Sequence, residues 1–262
     1  MTTELLILKT VEDGVATLTL NRPDKRNAMS DDMRSAFIDH LEEIAVDRAI
    51  RALVLTGAGK GFCAGGDIAG MKRRMEAPAG EVGFNGWSRQ QRVHHTVSLL
   101  VNMPKPTIAA VNGAAAGLGA DTALACDFVV AGPHAHFAWS YIQRGLIPDG
   151  GGMFFLPRRV GLVRAKELIF TGRRVDAQEA LSLGIADRLS GADTLLDEAK
   201  TWARELSQGS ATALALGKTI LNSSLESSAE EIFQSGSQAQ GICYTSSEHR
   251  ESVLAFLAKM AG

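Results

Sequence analysis

Short apolar runs recur along the first two thirds of the chain, each bounded by polar or glycine-containing turns. Runs of this length, rich in Val, Ile and Leu, are typical of buried β-strands. Strands are therefore predicted at 5–8, 15–20, 52–56, 107–111 and 127–131.

Helical spacing appears between these runs. After Ser30, a good N-cap followed by two aspartates, one helical face carries Met33, Phe37, Ile38, Leu41, Ile44 and Ala45. Further helices are predicted from about residue 67 and over 87–101. The polar stretch 77–86 between them contains Pro78 and three glycines, which favours an irregular segment.

The chain after Ala177 is mostly helical in pattern. Helices are predicted there at 192–208, 211–222, 228–240 and 246–259. The fold class is therefore α/β, with residues 1–190 as a core that carries the site. Residues 191–262 are expected to form a helical region that covers this core or docks on another subunit.

Composition narrows the class of protein. The 262 residues are 45% hydrophobic and 21% charged with a net charge of −2, as in a folded soluble protein without the basic patch of a nucleic-acid binder. Three widely spaced cysteines favour a reducing compartment and give no metal-ligand spacing. Neither a signal peptide nor a membrane span is expected, so the predicted location is cytoplasmic.

The 27 glycines are more than average and cluster between strands and helices. One cluster runs from Gly61 to Ile68 and a second from Asn112 to Asp121. Backbone N–H groups are unpaired where a helix begins, so such turns can hold an anion or a developing oxyanion. Either cluster alone could be a plain tight turn, but two in one chain favour a shared site. Neither matches a phosphate-loop motif.

Short motifs follow one another along nearly the whole chain. They are Asn21-Arg22-Pro23 with Asn27-Ala28-Met29, Phe62 to Ile68, Pro104-Lys105-Pro106 with Ala110 to Gly113, Gly117 to Asp127, Gly145 to Gly152 with Leu156-Pro157-Arg158, and Leu168 to Ala186. Each is weak by itself. Their order and spacing together resemble the crotonase superfamily, also called the enoyl-CoA hydratase/isomerase family.

This resemblance implies a spiral of ββα units with a C-terminal helical region that trimerises, so a homotrimer or a dimer of trimers is expected. It implies an acyl-CoA substrate and no metal or other cofactor beyond the CoA moiety. It also implies that the N–H groups of Ala64 and Leu118 hold the thioester oxygen as negative charge develops. Leu118 stands where the family usually has a glycine.

Further residues are implied to bind CoA or substrate. By position they are Lys25, Arg26, Ala28, Ala64, Gly65, Gly66, Asp67, Ile68, Gly117, Phe256 and Lys259. The lysines and the arginine are candidates for the phosphates, and Phe256 is expected near the pantetheine of a neighbouring subunit. A solvated surface is the alternative for the basic residues.

Acid–base residues decide the reaction. The two glutamates of family hydratases correspond to Asp121 and Tyr141, while Asp149 stands where double-bond isomerases have a carboxylate. We therefore predict isomerisation of an unsaturated acyl-CoA, as in fatty acid β-oxidation, with Asp149 as proton shuttle and Asp121 assisting. Asp149 could alternatively be only the N-cap of a helix that starts at Gly150.

Three other interpretations stay open. Asp121 could hydrate an enoyl-CoA with water placed by Tyr141. Asp149 could act as a nucleophile with His94 as base, as in aromatic acyl-CoA dehalogenases, although His94 and His95 fit ordinary helix positions better. The fold could also serve as a non-catalytic acyl-CoA-binding scaffold.

Overall fold

Strands of the chain form two sheets in the computed structural model, which describes residues 5–261. In chain order the strands are β1 (Ile7–Glu12), β2 (Val15–Leu20), β3 (Ala52–Gly57), β4 (Gly61–Cys63), β5 (Thr107–Val111), β6 (Ala114–Ala116), β7 (Phe128–Ala131), β8 (His136–Ala138), β9 (Val175–Asp176) and β10 (Arg188–Leu189). The larger sheet has the order β1-β2-β3-β5-β7-β10, and the smaller sheet has the order β4-β6-β8-β9.

The helices surround these sheets. In chain order they are α1 (Asp31–Val46), α2 (Ile68–Met75), α3 (Ala79–Val101), α4 (Leu118–Leu124), α5 (Gly152–Val160), α6 (Leu162–Thr171), α7 (Ala177–Leu183), α8 (Leu195–Leu206), α9 (Ala211–Ser223), α10 (Ala229–Tyr244) and α11 (Ser247–Ala261). Three 3₁₀-helical residues at Pro23–Lys25 and five at Ser140–Arg144 complete the regular structure of the described chain.

A unit of two strands followed by a helix repeats along the chain. β3, β5 and β7 lie side by side in the larger sheet, and the strand after each of them joins the smaller sheet before a helix begins. Neighbours within each of these two sets run parallel. This confirms the predicted spiral of ββα units.

Both faces of the larger sheet are buried. Phe37 and Leu41 of α1 pack against one face, and Trp202 of α8 packs against the other. A parallel sheet covered on both faces needs continuous apolar strands, as in the fully buried β3 and β5. The strand predictions for these segments succeed for that reason.

Helix α3 begins eight residues earlier than the sequence pattern predicts, at Ala79 rather than at residue 87. Pro78 stands just before it, where a proline's missing N–H and fixed φ are tolerated. Gly80, Gly83 and Gly86 therefore lie inside the helix. Each glycine costs the helix only about 1 kcal/mol relative to alanine, so the helix tolerates them. The predicted irregular segment 77–86 is therefore wrong for most of its length.

The C-terminal helices differ from the rest in their exposure. α8 packs on the sheet, whereas α9, α10 and α11 contain no buried residue whose exposure is described. The division between 1–190 and 191–262 stays a prediction. Within 5–261 the helices lack the combination of length and hydropathy that a membrane crossing needs.

Candidate active site

Two glycine-containing loops meet at one edge of the smaller sheet. They follow β4 and β6, which are parallel neighbours, so both loops leave the sheet at the same end. Gly65 has a φ of +98°, and a Cβ there would lie 2.8 Å from the carbonyl oxygen of Ala116 and 3.6 Å from the nitrogen of Leu118. Only glycine allows this approach, and it brings the amides of the two loops together.

Free backbone donors in the first loop are not those that the sequence suggests. The N–H of Ala64 donates to the carbonyl of Arg26 at 2.9 Å, so the prediction that Ala64 holds an oxyanion is wrong. Met29 bridges the flanking residues, since it donates to Gly65 and accepts from Asp67. The N–H of Gly66 itself has no acceptor within residues 5–261.

Leu118 supplies a second free donor. It is the first residue of α4, where an N–H has no acceptor in its own helix, and no other described residue accepts from it. Gly66 and Leu118 both line the cleft beside the loops. The pair of donors is therefore Gly66 with Leu118.

The cleft has two connected lobes. The Ser140 lobe, of about 470 Å³, is lined by Ser140 and Gly117 among others, and the Asp149 lobe, of about 530 Å³, by Asp149. Residues that line both lobes are Gly66, Ile68, Met71, Leu118, Tyr141, Arg144 and Leu146. The free donors thus stand at the junction between the lobes.

Several predicted binding residues line the Ser140 lobe. They are Arg26, Ala64, Gly65, Gly66, Ile68 and Gly117. Arg174 and Arg144 also line it, although the sequence did not suggest them. Three arginines make this lobe positively charged.

Other predicted binding residues lie outside both lobes. Lys25 is exposed, and the carbonyl of Ala28 accepts from Arg22. The carboxylate of Asp67 pairs with Arg22 at 3.0 Å and accepts from the N–H of Ala69, so it closes the loop and does not face the cleft. The predicted contacts of Lys25, Ala28 and Asp67 with a ligand stay predictions.

Two more predicted binding residues are on the C-terminal helix α11. Phe256 and Lys259 are exposed and lie outside both lobes of their own chain. Among residues 5–261, no contact brings them to the site.

The side chain of Asp149 lines the Asp149 lobe. Helix α5 starts at Gly152 after Gly151, whose φ of +108° ends the preceding loop, so Asp149 does not cap the helix. Burial raises the pKa of its carboxyl, while the nearby charges of His94 and Arg89 act in the opposite direction. A half-buried carboxyl in a cleft is suited to exchange protons with a ligand.

His94 contacts the backbone of the loop that carries Asp149. Its Nε2 lies 3.1 Å from the backbone carbonyl oxygen of Asp149, to which the ring can only donate. The side chain is exposed and lines neither lobe. It therefore supports the loop and is not directed at the cleft.

Asp121 is fully buried beneath the cleft. Its carboxylate accepts from Trp139 Nε1 at 3.0 Å, from the hydroxyl of Tyr141 at 2.7 Å and from the N–H of Gly152. Burial raises its pKa to about 7 against these hydrogen bonds. Asp121 lines neither lobe and reaches the cleft only through Tyr141. Its assisting role stays a prediction, and any such assistance passes through the hydroxyl of Tyr141.

Sequence reasoning missed three functional positions. The sequence indicates ligand binding at Gly66 but not its place in the donor pair, and it gives no sign that Trp139 donates to Asp121. Arg89 lines the Asp149 lobe through its helical spacing with Gly86 and Val93. That spacing is visible in the sequence, but only the folded chain shows that this face of α3 lines the cleft. Within 5–261 there is no cluster of three or more His, Cys, Asp or Glu side chains that would suit a metal ion.

Asn27 fixes the chain around the first glycine loop. It is fully buried with a φ of +57°, its amide donates to the carbonyls of Ala58 and Gly61 at 3.0 and 2.7 Å, and its Oδ1 accepts from the N–H of Arg22. Truncation leaves these buried groups unpaired. We expect Asn27→Ala to lower the free energy of unfolding by about 2–4 kcal/mol, measured by urea denaturation.

The exposed Asn102 provides the control for this change. Its amide contacts only Ser98 of its own helix end, so Asn102→Ala is expected to change stability by less than about 0.5 kcal/mol. Equal losses in the two variants would show that the Asn27 contacts do not hold the loop.

Known proteins resemble the chain over almost its whole length. The sequence profile "Enoyl-CoA hydratase/isomerase" matches residues 10–261. A 1,2-epoxyphenylacetyl-CoA isomerase of Escherichia coli K12 is 39% identical over 253 residues, which are 97% of this chain and 95% of that protein. A crotonyl-CoA hydratase of Syntrophomonas wolfei is 34% identical over 249 residues, which are 95% of this chain and 93% of that protein.

A solved structure extends the likeness to the fold. An enoyl-CoA hydratase from Polaromonas sp. JS666 superposes with a TM-score of 0.89 at 34% identity, covering 97% of each chain. The spiral described above is therefore shared with that hydratase.

Proposed function

The chain belongs to the enoyl-CoA hydratase/isomerase family, and we propose that within it the protein shifts the double bond of an unsaturated acyl-CoA, with Asp149 carrying the proton. The observation that supports this most is that Asp149 is a carboxyl open to the lobe next to the Gly66 and Leu118 donors. The likeness to an isomerase at 39% identity is consistent with it.

The proposed reaction runs through a thioester enolate. The thioester oxygen accepts from the N–H groups of Gly66 and Leu118, which stabilise the negative charge that develops on it. Asp149 removes a proton from the carbon next to the thioester and returns it two carbons further along. The double bond moves into conjugation and the carboxylate is regenerated, so the step needs no cofactor beyond the CoA of the substrate.

The CoA moiety is proposed to occupy the Ser140 lobe. Arg26, Arg144 and Arg174 line this lobe and carry the charge that phosphate groups need. The acyl group then extends past the donor pair into the Asp149 lobe, whose walls include apolar side chains such as Val93 and Leu146.

Hydration of an enoyl-CoA is the second candidate, because several relatives are named hydratases. It needs a carboxylate that activates water. The carboxylate of Asp121 is buried and already accepts hydrogen bonds from three donors, so it is not free to activate water. Burial and the neighbouring Asp121 raise the pKa of Tyr141, which is therefore a poor base. These contacts favour isomerisation over hydration.

Two further interpretations have less support. A nucleophilic Asp149 needs a base that faces the cleft, and His94 contacts the backbone carbonyl of Asp149 from outside it. A non-catalytic scaffold would not require two free donors beside an open carboxyl.

Self-association is part of the proposal. Apolar side chains of the last three helices and the turn after α9 are exposed in the single chain, namely Leu221, Leu225, Phe233, Leu254, Phe256, Leu257 and Met260. Burying such a surface against further copies is favourable, which supports a homotrimer or a dimer of trimers. Phe256 and Lys259 would then be available to the cleft of a neighbouring copy.

A pair of substrates tests the proposed reaction. We expect 3-hexenoyl-CoA to be converted to 2-hexenoyl-CoA, followed by the absorbance of the conjugated thioester, much faster than crotonyl-CoA is hydrated. Chromatography of the products separates the two outcomes. Efficient hydration without a double-bond shift would instead identify a hydratase.

A further inference from the structure

Arg89 stands in the wall of the Asp149 lobe. It lies on the face of α3 that also carries Val93, and its side chain is 15% exposed. One of its terminal nitrogens, Nη2, lies 3.9 Å from the position that a Cβ of Gly66 would take. A guanidinium therefore reaches the lobe close to one of the two free donors.

The charge of Arg89 is only partly neutralised. Its Nε contacts Asp31 Oδ1 at 3.2 Å, and the same oxygen accepts from Arg34 at 2.7 Å. Asp31 is 61% exposed, which weakens both pairs. One carboxylate thus serves two guanidiniums, and the Nη groups of Arg89 have no acceptor within the described chain.

A second polar group lies beside it. Gln90 also lines the Asp149 lobe, and its buried Oε1 has no hydrogen-bond partner among residues 5–261. Buried amide groups without partners are rare in folded proteins and often await a ligand or water.

The surrounding wall is mostly apolar. Met71, Met75, Val82, Val93, Leu118, Leu146 and Ile147 line the same lobe. A plain alkyl chain would satisfy these residues and leave Arg89 and Gln90 unpaired, which costs free energy once water is displaced. An acyl group that brings its own acceptor oxygen removes this cost for the Arg89 donors, whereas the Oε1 of Gln90 accepts only from a donor such as a water molecule.

We propose that Arg89 determines substrate specificity by binding an acceptor oxygen that the acyl group carries away from its thioester. Arg89, Arg144 and Lys72 line this lobe together with one carboxylate, that of Asp149, so a surplus of positive charge remains. This surplus favours a carboxylate, so the substrate class is an unsaturated acyl-CoA with a second carboxyl group. This inference rests on the proposed function, since it assigns the acyl group to the Asp149 lobe.

Unreactive ligands test this binding apart from the reaction. Affinities of succinyl-, glutaryl- and adipoyl-CoA are measured by calorimetry against butyryl-, pentanoyl- and hexanoyl-CoA. At least one carboxylate is expected to bind about tenfold to a hundredfold more tightly than its alkyl partner, as charge-assisted hydrogen bonds do. A wild-type protein without any such preference would overturn the proposal.

Variants assign the preference to Arg89. Arg89→Met is expected to abolish it, Arg89→Lys to keep part of it, and Arg92→Met to leave it unchanged, because Arg92 is exposed and contacts Ser35. Equal weakening of alkyl and carboxylate ligands by Arg89→Met would assign Arg89 a structural role instead.

6-Hydroxyhexanoyl-CoA distinguishes a neutral hydroxyl oxygen from a carboxylate oxygen. If it binds as tightly as adipoyl-CoA, the bound oxygen is a neutral acceptor and the carboxylate assignment is overturned. Because none of these ligands reacts, a failed isomerase assay leaves the binding result intact.

Discussion

Asp149→Asn is expected to lower kcat for double-bond isomerisation by about 10²–10⁴-fold, the usual contribution of a positioned acid or base. The amide keeps the size of the side chain but cannot accept the proton. Binding of unreactive acyl-CoA should change little, because the donors at Gly66 and Leu118 are untouched. Stopped-flow or steady-state assays with 3-hexenoyl-CoA measure the loss.

The pH profile gives a second measure of the same group. Asp149 acts as a base only when ionised, so activity is expected to be full at high pH and to fall as the pH drops through its pKa, which burial holds above the ordinary value. Asp121, with a pKa raised to about 7, interacts with Asp149, so the acid limb belongs to the pair.

A carboxylate far from the cleft serves as the control for Asp149. Asp39 is exposed on α1, and Asp39→Asn is expected to retain wild-type kcat. An Asp149→Asn enzyme that matches Asp39→Asn would exclude Asp149 as the proton shuttle.

Long, regular elements of the fold were predictable from the sequence because their signals are local. The apolar run of β5 and the capped helix α1 after Ser30 appear where the pattern indicates. The three-residue strands β4, β6 and β8 were not predicted as strands. Each is too short for a periodic signal, and each forms only because a partner distant in sequence lies beside it.

The candidate site was predictable to the level of a loop but not of an atom. The choice between Ala64 and Gly66 depends on the carbonyl of Arg26, which comes from a distant segment and occupies the Ala64 amide. Similarly, an acidic residue at 121 indicates chemistry, but only the packing of Trp139 and α5 around it shows that it is covered. Hydrogen-bond partners brought by tertiary structure decide which groups are free.

Leu118→Pro tests the donor pair itself. Leu118 is the first residue of α4, a position where proline fits because the N–H it removes has no partner in the helix. We expect kcat to fall about 10²–10³-fold below that of Leu118→Ala, since loss of one oxyanion donor has this effect in other enzymes. Leu118→Ala is the matched control, because it trims the same side chain and keeps the N–H.

The comparison between these two variants separates the backbone from the side chain. Both lose the packing of Leu118 in the core, so similar unfolding curves are expected for them. Affinity for CoA itself should also agree, because the Ser140 lobe keeps its arginines. If the two variants turn over 3-hexenoyl-CoA at the same rate, the oxyanion is not held by the Leu118 amide. A large difference in kcat with equal stability and CoA affinity assigns the effect to one N–H group, because the variants otherwise differ only in the proline ring.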